Sequence, residues 1–489
     1  MQKGLFPAMK KSRFAPLCHW LPDLLLVAFA AFLVVYAAQF IANQNFWLDE
    51  YYSIHLVELD WAEIPDFTAG DVHPPLYYYI LKVFVTLFGS AHATYRIASF
   101  AAYLLTVGMA LVLFRPAFGR LATFFFLCLM GPNAASLHYF TEARMYGWAL
   151  FFVLLCGFSG YKLVEGTSHR RRWWISLTLT GLIAGYLHYY ALLAVGLIYL
   201  SLLIYSIAKR PALLRNWGIA VGLSVVCYLP WVILTAGRLT KQVSTFWLQE
   251  MPALSETLEL IVGNRLSSWL VLALFVAACL LYLFRPRGEQ SARRWLVATG
   301  LLVAIGLPAA GYAASVLLRP MYLPRYFFPA AGLLWLAMAV AASRLLQCLP
   351  RLAGICGGVL LAALVLFAMA EPAQKSLREM RECNDVIAQA IAYVEDRYQP
   401  GDRIYSSVSL VDQRVLDFLF PQQNTAAGSD PTAALPEGNG SLFLIYAEED
   451  PTGDWAAALE QPGLQMDGWQ GALLDNTWCR IYYYVPAAQ

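Results

Sequence analysis

The feature that most constrains this chain is a series of long apolar stretches. Each is close to the roughly 20 residues that a helix needs to cross a bilayer. Only 13% of the 489 residues are charged, against about 25% in soluble proteins, which excludes a soluble enzyme, a disordered chain and a coiled coil. We expect a mainly α-helical polytopic membrane protein with about eleven spans, at residues 21–42, 92–114, 121–137, 145–163, 174–189, 190–208, 217–236, 267–284, 295–317, 327–345 and 352–370.

The positive charges of the loops predict an orientation. Cytoplasmic loops of membrane proteins carry an excess of Lys and Arg. With eleven spans, all the basic clusters fall on one side, so we expect a cytoplasmic N-terminus and a C-terminal tail on the other side. The net charge of +2 gives no reason to expect nucleic-acid binding. The clusters are Lys3, Lys10, Lys11 and Arg13; Arg115 and Arg120; Lys162, Arg170, Arg171 and Arg172; Lys209, Arg210 and Arg215; Arg285, Arg287, Arg293 and Arg294; and Arg344 and Arg351.

Two regions are not simple spans. Residues 43–91 form a first external loop with amphipathic stretches at 51–67 and 77–88. The polar tail alternates predicted helices with predicted strands, which favours a small α/β domain. We therefore divide the chain into a membrane domain, 1–371, and an extracytoplasmic domain, 372–489. In that domain Cys383 and Cys479 either pair as a disulfide or stay free and buried. The predicted helices are 374–398, 411–420 and 454–459, and the strands are 403–408, 441–446 and 478–485.

Two adjacent carboxylates follow the first span, in the motif WLDEYY (47–52). Polar groups at membrane depth are costly and usually functional, and two adjacent carboxylates among aromatic residues at the membrane surface are unusual. One carboxylate, Asp49, can act as a general base while Glu50 tunes it or binds a partner. The alternative is structural: Asp49 would be the N-cap of the next helix, with Glu50 in its first turn.

Other polar clusters lie in loops on the same predicted side. His73, in DVHPPLYYY (71–79), can contact a phosphate oxygen or can be a structural histidine. In TEARMYGWAL (141–150), Glu142 and Arg144 form a surface pair or present a guanidinium to an anion. Each motif is ambiguous by itself.

The last two motifs add further polar residues to the loops on the same predicted side. His188 and Tyr189 lie in HYY (188–190), and Arg325 and Tyr326 lie in PRYFFPA (324–330). Arg325 suits a lipid-linked phosphate, because a guanidinium forks onto phosphate oxygens; the alternative is an arginine that snorkels to the interface. Carboxylate, His, Tyr and Arg side chains thus lie together on one predicted face of the membrane, whereas the loops on the other face are distinguished only by their basic residues. This favours a reaction at the outer surface on an anionic lipid donor.

Taken together and in order, these motifs resemble the bacterial GT-C membrane glycosyltransferases. The resemblance is to the branch related to protein O-mannosyltransferases and the lipid A aminoarabinose transferase, and it covers roughly residues 20–370. The resemblance implies a GT-C fold and an inverting hexosyl- or pentosyltransferase of the bacterial cytoplasmic membrane. It implies a polyprenyl-phosphate-linked sugar as donor and a glycan, lipid or protein as acceptor. The motifs that carry it are WLDEYYS, DVHPPLYYY, RIAS (96–99), TEARMYGWAL, HYY and PRYFFPA.

The resemblance also implies residue roles. Asp49 matches the acidic residue of the first loop that serves as catalytic base, and Glu50 matches its partner. His73 lies where relatives place a basic residue that contacts the donor phosphate. Many relatives of this branch work without a divalent metal, so we expect no required cofactor, and a divalent metal at the acidic pair is possible but not favoured. Further donor-binding positions implied by the later motifs are Glu142, Arg144, His188, Tyr189, Arg325 and Tyr326.

The competing interpretation is a membrane transporter or a flippase of lipid-linked sugars. A secondary transporter is expected to have internal repeats and polar, broken helices near mid-membrane. The sequence has no evident repeat, and its ionisable residues lie at the ends of the spans. A structural membrane protein would leave the acidic pair unexplained.

Overall fold

The computed structural model describes residues 15–166, 169–238, 248, 250–263, 265–285, 291–436, 438–447, 451–452, 454–460 and 463–487. The predicted basic N-terminal cluster and Arg287 lie outside these ranges. The helices of the membrane domain are α1 (Ala15–Ala38), α2 (Leu48–Glu58), α3 (Ile64–Thr68), α4 (Leu76–Phe88), α5 (His92–Met109), α6 (Arg115–Phe118), α7 (Arg120–Met130), α8 (Ala134–Tyr139), α9 (Tyr146–Glu165), α10 (Arg170–Leu187), α11 (Tyr189–Lys209), α12 (Leu214–Thr235), α13 (Leu254–Val262), α14 (Leu266–Phe284), α15 (Ser291–Leu317), α16 (Phe328–Gln347) and α17 (Arg351–Glu395).

Most of the predicted spans are confirmed as long apolar helices. Within the described residues, nine helices are long and apolar enough to cross a membrane. The prediction of one span over 121–137 was wrong: α7 has 11 residues, and Gly131-Pro132 separates it from α8. The predicted span 174–189 exists as the 18-residue α10, which begins with three arginines. Only His188 separates α10 from α11, so the two helices form a hairpin with the HYY motif at its tip.

The centre of the bundle is α16. The apolar window of this helix is 100% buried, whereas that of α12 is only 17% buried. Small residues allow helix backbones to approach closely. A Cβ placed on Gly300 of α15 would lie only 2.6 Å from the Cβ of Ala337. Outer helices expose large apolar side chains such as Leu24, Val225 and Leu281, as expected of surfaces that face lipid.

The two ends of the bundle differ in charge. At one end, Arg120 Nε donates to Asp23 of α1 at 2.6 Å, and Arg115 Nε donates to the same carboxylate at 2.8 Å. A second basic cluster joins them, since Arg293 in the first turn of α15 donates to the Ala117 carbonyl at 3.0 Å. Helix α5 runs from this end to His92, so the loops that hold the polar motifs lie at the opposite end, which we call the site end.

The C-terminal region is a small α/β domain, as predicted. Helix α17 has 45 residues and continues through Pro372 into the tail. The sheet has the order β2-β1-β3-β5-β4. Strand β1 is parallel to β2 and β3, and β5 is antiparallel to β3 and β4. Strands β2 and β4 were not predicted. The elements are β1 (Arg403–Ser406), α18 (Gln413–Leu419), β2 (Thr425–Ala427), β3 (Leu442–Tyr446), α19 (Asp454–Glu460), β4 (Leu464–Leu474) and β5 (Thr477–Pro486). Cys383 and Cys479 are both free thiols.

This domain is docked on the site end of the bundle. The ring of Phe418 in α18 lies 5.4 Å from that of Phe46 and 4.7 Å from that of His92. From α17, Asn384 accepts the backbone N–H of Gln44 at 2.8 Å. The contacts fix the segment that leads into α2, the helix that carries the acidic pair.

Candidate active site

The acidic pair lies in the first turn of α2. Its N-cap residue is Trp47, which has an extended backbone and makes no side-chain capping bond. The Trp47 carbonyl accepts the N–H groups of Glu50 at 2.7 Å and of Tyr51 at 3.0 Å. The alternative in which Asp49 is the N-cap was therefore wrong. Both carboxylates are free to contact other parts of the bundle.

Two arginines from later loops meet the Asp49 carboxylate. Arg325 Nη2 lies 3.2 Å from Asp49 Oδ2, and Arg144 Nη2 lies 3.9 Å from it. Arg144 is fixed from behind, because its Nη1 donates at 3.0 Å both to the Asp49 carbonyl and to Ser53 Oγ. The Asp49 side chain is 25% exposed and that of Arg144 only 2%. The carboxylate is thus open to a ligand while its cationic partner lies beneath it.

Trp47 connects Arg325 to Glu142. The Arg325 guanidinium lies over the Trp47 ring, 4.9 Å from its centroid, and Trp47 Nε1 donates to Glu142 Oε1. Glu142 is fully buried, and burial raises the pKa of its carboxyl above the ordinary value. The structure therefore brings together the WLDE, TEAR and PRY motifs, which are far apart in sequence.

Glu50 has a different environment from Asp49. Its carboxylate is buried and pairs with Arg96 of α5, and its Oε1 also accepts the Ala143 N–H at 2.6 Å. Arg96 donates to the carbonyls of Asn43 at 3.2 Å and Asn45 at 2.8 Å. Burial is the main cause of a raised pKa at Glu50. Through Ala143 and Arg96, Glu50 thus links α2 to the loop before α9, to α5 and to the segment 43–45. At 1% exposure, its side chain is shielded from a ligand.

His73 and His188 lie beside each other and beside Tyr326. The rings of the two histidines are 5.3 Å apart, and the His188 ring is 5.2 Å from the Tyr326 ring. Burial lowers the pKa of His188 to about 3 and that of His73 well below its usual value. His188 Nδ1 accepts the Tyr190 N–H at 3.1 Å, so the neutral ring carries its proton on Nε2. These histidines offer neutral N–H groups and not positive charge.

The surroundings of Asp49 are rich in buried polar atoms without a hydrogen-bond partner in the described part of the chain. Leaving such a group unpaired costs about 1–3 kcal/mol, so a concentration of them is typical of a binding site and not of a structural core. Donors and acceptors are both present. The atoms are His73 Nδ1, Glu142 Oε2, Arg144 Nε, Tyr146 Oη, His188 Nε2 and Arg325 Nε.

Tyr189 lies outside this polar cluster. Its hydroxyl accepts from Trp231 Nε1 of α12 at 3.2 Å. The ring lines a cavity of about 450 Å³ between α10, α11 and α12, together with Leu192, Tyr199 and Tyr228. This cavity is almost wholly apolar and extends from the site end along the helices. Its lining suits a hydrocarbon chain.

Sequence reasoning missed several residues that build the site. Arg96 had a signal, since a charged residue in the first turn of an apolar span is costly unless paired. Tyr78, which accepts from Arg144 at 3.4 Å, stood in a quoted motif but was not singled out. The only sequence signal for Ser53 was its position four residues after Asp49, on the same face of a helix. No group of three or more His, Cys, Asp or Glu side chains suited to a metal occurs within the described ranges; independence from metal stays a prediction.

The whole architecture is similar to solved structures of ArnT from Cupriavidus metallidurans. The apo structure of that protein matches with a TM-score of 0.62 and 14% identity, over 97% of this chain and 100% of that one. The structure bound to undecaprenyl phosphate matches with a TM-score of 0.61 and 15% identity, over 96% and 98% of the two chains. No family model matches the sequence, and no curated protein matches it. The likeness confirms the predicted GT-C fold.

Proposed function

We propose that this protein is an inverting glycosyltransferase that moves a sugar from a polyprenyl-phosphate donor to an acceptor hydroxyl. The observation that carries the proposal is the partly exposed Asp49 carboxylate between Arg144 and Arg325, surrounded by unpaired donors and acceptors. This site lies at one end of a bundle with the fold of ArnT, for which a structure bound to undecaprenyl phosphate exists.

The chemistry needs a base for the acceptor hydroxyl and a cation for the leaving phosphate. Asp49 takes the proton of the acceptor hydroxyl while that oxygen bonds to the anomeric carbon. The bond from this carbon to the phosphate oxygen breaks at the same time, so the configuration inverts and polyprenyl phosphate leaves as an anion. General-base assistance contributes about 10²–10⁴-fold. Arg144 and Arg325 stabilise the charge that develops on the phosphate.

The other polar groups of the site suit the sugar. Glu142 Oε2, which lies 3.8 Å from His138 Nε2, and Tyr146 Oη have no hydrogen-bond partner in the described structure and can bond to sugar hydroxyls. Tyr326 offers an aromatic face beside them, and His73 and His188 donate N–H groups to phosphate or sugar oxygens. Glu50, which is buried against Arg96, holds α2 in place and does not touch the donor.

The isoprenoid part of the donor requires an apolar surface next to the polar cluster. The cavity beside Tyr189 provides one, since Tyr189 follows His188 directly in the chain and the cavity leads away from the site end. Bound there, the chain would place its phosphate near the arginines. The small share of Lys and Arg in the site-end loops favours an outer-face reaction at a bacterial cytoplasmic membrane.

The test uses the purified full-length protein and a panel of undecaprenyl-phosphate-linked hexoses and pentoses. Free undecaprenyl phosphate is measured by mass spectrometry with and without extracts of cell-envelope glycolipid and glycan. A transferase releases undecaprenyl phosphate slowly by hydrolysis and faster with an acceptor, and Asp49→Asn lowers the acceptor-dependent release about 10²–10⁴-fold. If no donor of the panel yields undecaprenyl phosphate while binding is detected, a flippase or transporter is the better interpretation.

A further inference from the structure

A polar cavity lies where the C-terminal domain meets the first loop of the membrane domain. Its volume is about 590 Å³, within the range of about 300–1,000 Å³ of small-molecule sites. One wall is α2 with the start of α5, and the other is α18. The domains pack closely beside it, since Asn476 Oδ1 accepts from Asn45 Nδ2 at 2.5 Å and the neighbouring Asp475 is 4% exposed. The cavity is therefore part of a close interface.

Helix α2 separates this cavity from the proposed active site. Tyr51, Ile54, His55 and Glu58 line the cavity, and positions i, i+3, i+4 and i+7 share one face of a helix. Asp49 precedes Tyr51 by two residues, which is about 200° around a helix with 3.6 residues per turn. Its carboxylate thus lies on the other side of α2, and the cavity is a second site.

The lining combines aromatic rings with polar groups. Tyr51 and Tyr95 are each 3% exposed, and neither hydroxyl makes a hydrogen bond within the described part of the chain. Phe418 and His92 add two further rings, whose centroids are 4.7 Å apart. Rings that also carry a polar tip suit ligands with both apolar and hydrogen-bonding surface. A sugar ring presents both, as C–H faces and as hydroxyl groups.

The charges of the cavity favour a neutral ligand. Glu58 and Asp417 contribute carboxylates. Arg414 also lines the cavity, but it is paired with Asp412, whose Oδ2 accepts from Arg414 Nε at 2.9 Å. An anionic ligand would be repelled by the two carboxylates, in contrast to the Asp49 site, where two arginines suit a phosphate.

A second cavity extends the first across the C-terminal domain. It has a volume of about 510 Å³ and shares Gln413 and Arg414 with the first. Its other walls are the segments that follow β1 and β2, including Ser409 and Gly428. In open α/β sheets, ligands bind outside the carboxyl ends of the strands. The two cavities together form a groove from the edge of the sheet to α2, which we call the interdomain groove.

We propose that the interdomain groove binds a neutral oligosaccharide, namely the part of the acceptor that lies away from the reacting hydroxyl. Binding of the saccharide does not depend on the reaction at Asp49, whereas the acceptor role rests on the proposed function. A helix with its side chains is only about 10–12 Å across, so an acceptor of several sugar rings reaches from one side of α2 to the other. Binding energy from such a remote part can orient the reacting part.

The first test is direct binding to the full-length protein, measured by calorimetry in a detergent without a sugar head group. The probes are maltose, maltohexaose, chitobiose, chitohexaose and the acidic hexamer of galacturonic acid. Ser90→Trp places a large ring in the first cavity and Ser409→Trp places one in the second, both at exposed positions. Ala433→Trp is the matched control, because Ala433 is exposed in the C-terminal domain and lines neither cavity.

We expect a neutral hexasaccharide to bind more tightly than its disaccharide and than the galacturonic acid hexamer. Ser90→Trp should abolish binding of both lengths, Ser409→Trp should weaken only the hexasaccharide, and Ala433→Trp should resemble the wild type. Tyr51→Phe, which keeps the buried ring, should weaken binding about two- to tenfold, the effect of one hydrogen bond; it decides if Ser90→Trp does not fold. The proposal is overturned if no neutral probe binds, if the acidic hexamer binds best, or if either cavity-filling variant binds the hexasaccharide as the wild type does.

The acceptor role has a separate readout. With an undecaprenyl-phosphate-linked sugar and a glycan acceptor, the bound hexasaccharide should compete with the acceptor and not with the donor, and Ser90→Trp should raise KM for the acceptor. If the wild type turns over no donor, the glycosyltransferase assignment is wrong, and calorimetry still decides whether the groove binds saccharide. If the wild type is active and Ser90→Trp leaves KM for the acceptor unchanged, the acceptor role is overturned.

Discussion

The Asp49 carboxylate lies 3.2 Å from Arg325 Nη2, although one residue begins α2 and the other precedes α16. This contact joins the first loop of the site end, which leads into α2, to the last loop, which leads into α16. Arg325 also stacks on Trp47, so its guanidinium is oriented by Asp49 and by the tryptophan two residues before it. In the proposed reaction the same arginine aligns the base and meets the charge of the leaving phosphate.

The first prediction concerns Asp49. We expect Asp49→Asn to lower the rate of sugar transfer about 10²–10⁴-fold, because the amide cannot accept the acceptor's proton. Affinity for undecaprenyl phosphate should change little, since the arginines remain. Asp66→Asn is the matched control, because Asp66 also pairs with an arginine, Arg238, at 2.7 Å on the surface. Turnover near that of the wild type in Asp49→Asn would remove Asp49 as the base.

Arg325 should act on the donor and not on folding. Arg325→Lys keeps the positive charge but loses the planar fork and the stacking on Trp47. We expect KM for the donor to rise about tenfold, in line with the loss of about 1.4 kcal/mol from a charge-assisted bond, with the apparent Tm unchanged within error. Arg238→Lys serves as the surface control. An unaltered KM would show that Arg325 does not contact the donor phosphate.

The buried pair of Glu50 and Arg96 should determine stability. Both side chains are 2% exposed, and removing one partner of a buried pair costs about 3–5 kcal/mol because a buried charge is left uncompensated. We expect Glu50→Leu and Arg96→Met each to lower the apparent Tm in detergent clearly. The double variant Glu50→Leu with Arg96→Met should lose less than the sum of the two single losses. Additive losses would show that the pair is not coupled.

The sequence predicted most of the helices and three of the strands, but it did not predict the short or glycine-containing strands or where the last membrane helix ends. Apolar length predicted most of the membrane helices, and periodicity predicted β1, β3 and β5. Strand β2 has three residues, too few for an alternating pattern, and β4 contains Gly468 and Gly471, which are typical of turns. The last span was predicted to end at residue 370, but α17 continues through Pro372 to Glu395, since its polar half packs on the docked domain.

The sequence predicted which residues form the site, but not how their side chains are arranged in space. The predicted motifs contain Asp49, Arg144 and Arg325, and the structure brings these three together. The different environments of Asp49 and Glu50 could not be read from adjacent positions, because the direction of each side chain depends on where α5 packs. Asp475 stood in a polar turn of the tail with no signal, since its burial arises only from domain docking.

Orientation gives a further prediction. The site end should face away from the cytoplasm, because the basic loops gather at the opposite end. We expect alkaline phosphatase fused after residue 489 to be active in bacteria and a fusion in the loop after Lys209 to be inactive. Activity of the second fusion alone would invert the topology and place Asp49 in the cytosol, where the proposed outer-face reaction is excluded.

The last prediction follows from the raised pKa of Asp475. Because burial raises this pKa from 3.8 to about 7, the folded protein binds more protons than the unfolded chain between these values. Stability therefore falls as the pH rises through this window. Asp475→Asn removes the titration, so its apparent Tm should equal that of the wild type near pH 3.8 and exceed it above pH 7.

Thermal unfolding in detergent at a series of pH values checks this difference directly. Arg414 lies close enough to lower the pKa of Asp475, whereas Asp412 and Asp49 raise it. Arg414→Gln should therefore widen the gap in Tm between the protein with Asp475 and the Asp475→Asn variant, because it removes a nearby positive charge. Asn476→Gly leaves the acid in place and should keep the wild-type dependence on pH. If the difference in Tm between Asp475→Asn and the wild type is the same at about pH 4 and about pH 8, the Asp475 carboxyl does not titrate in the predicted window.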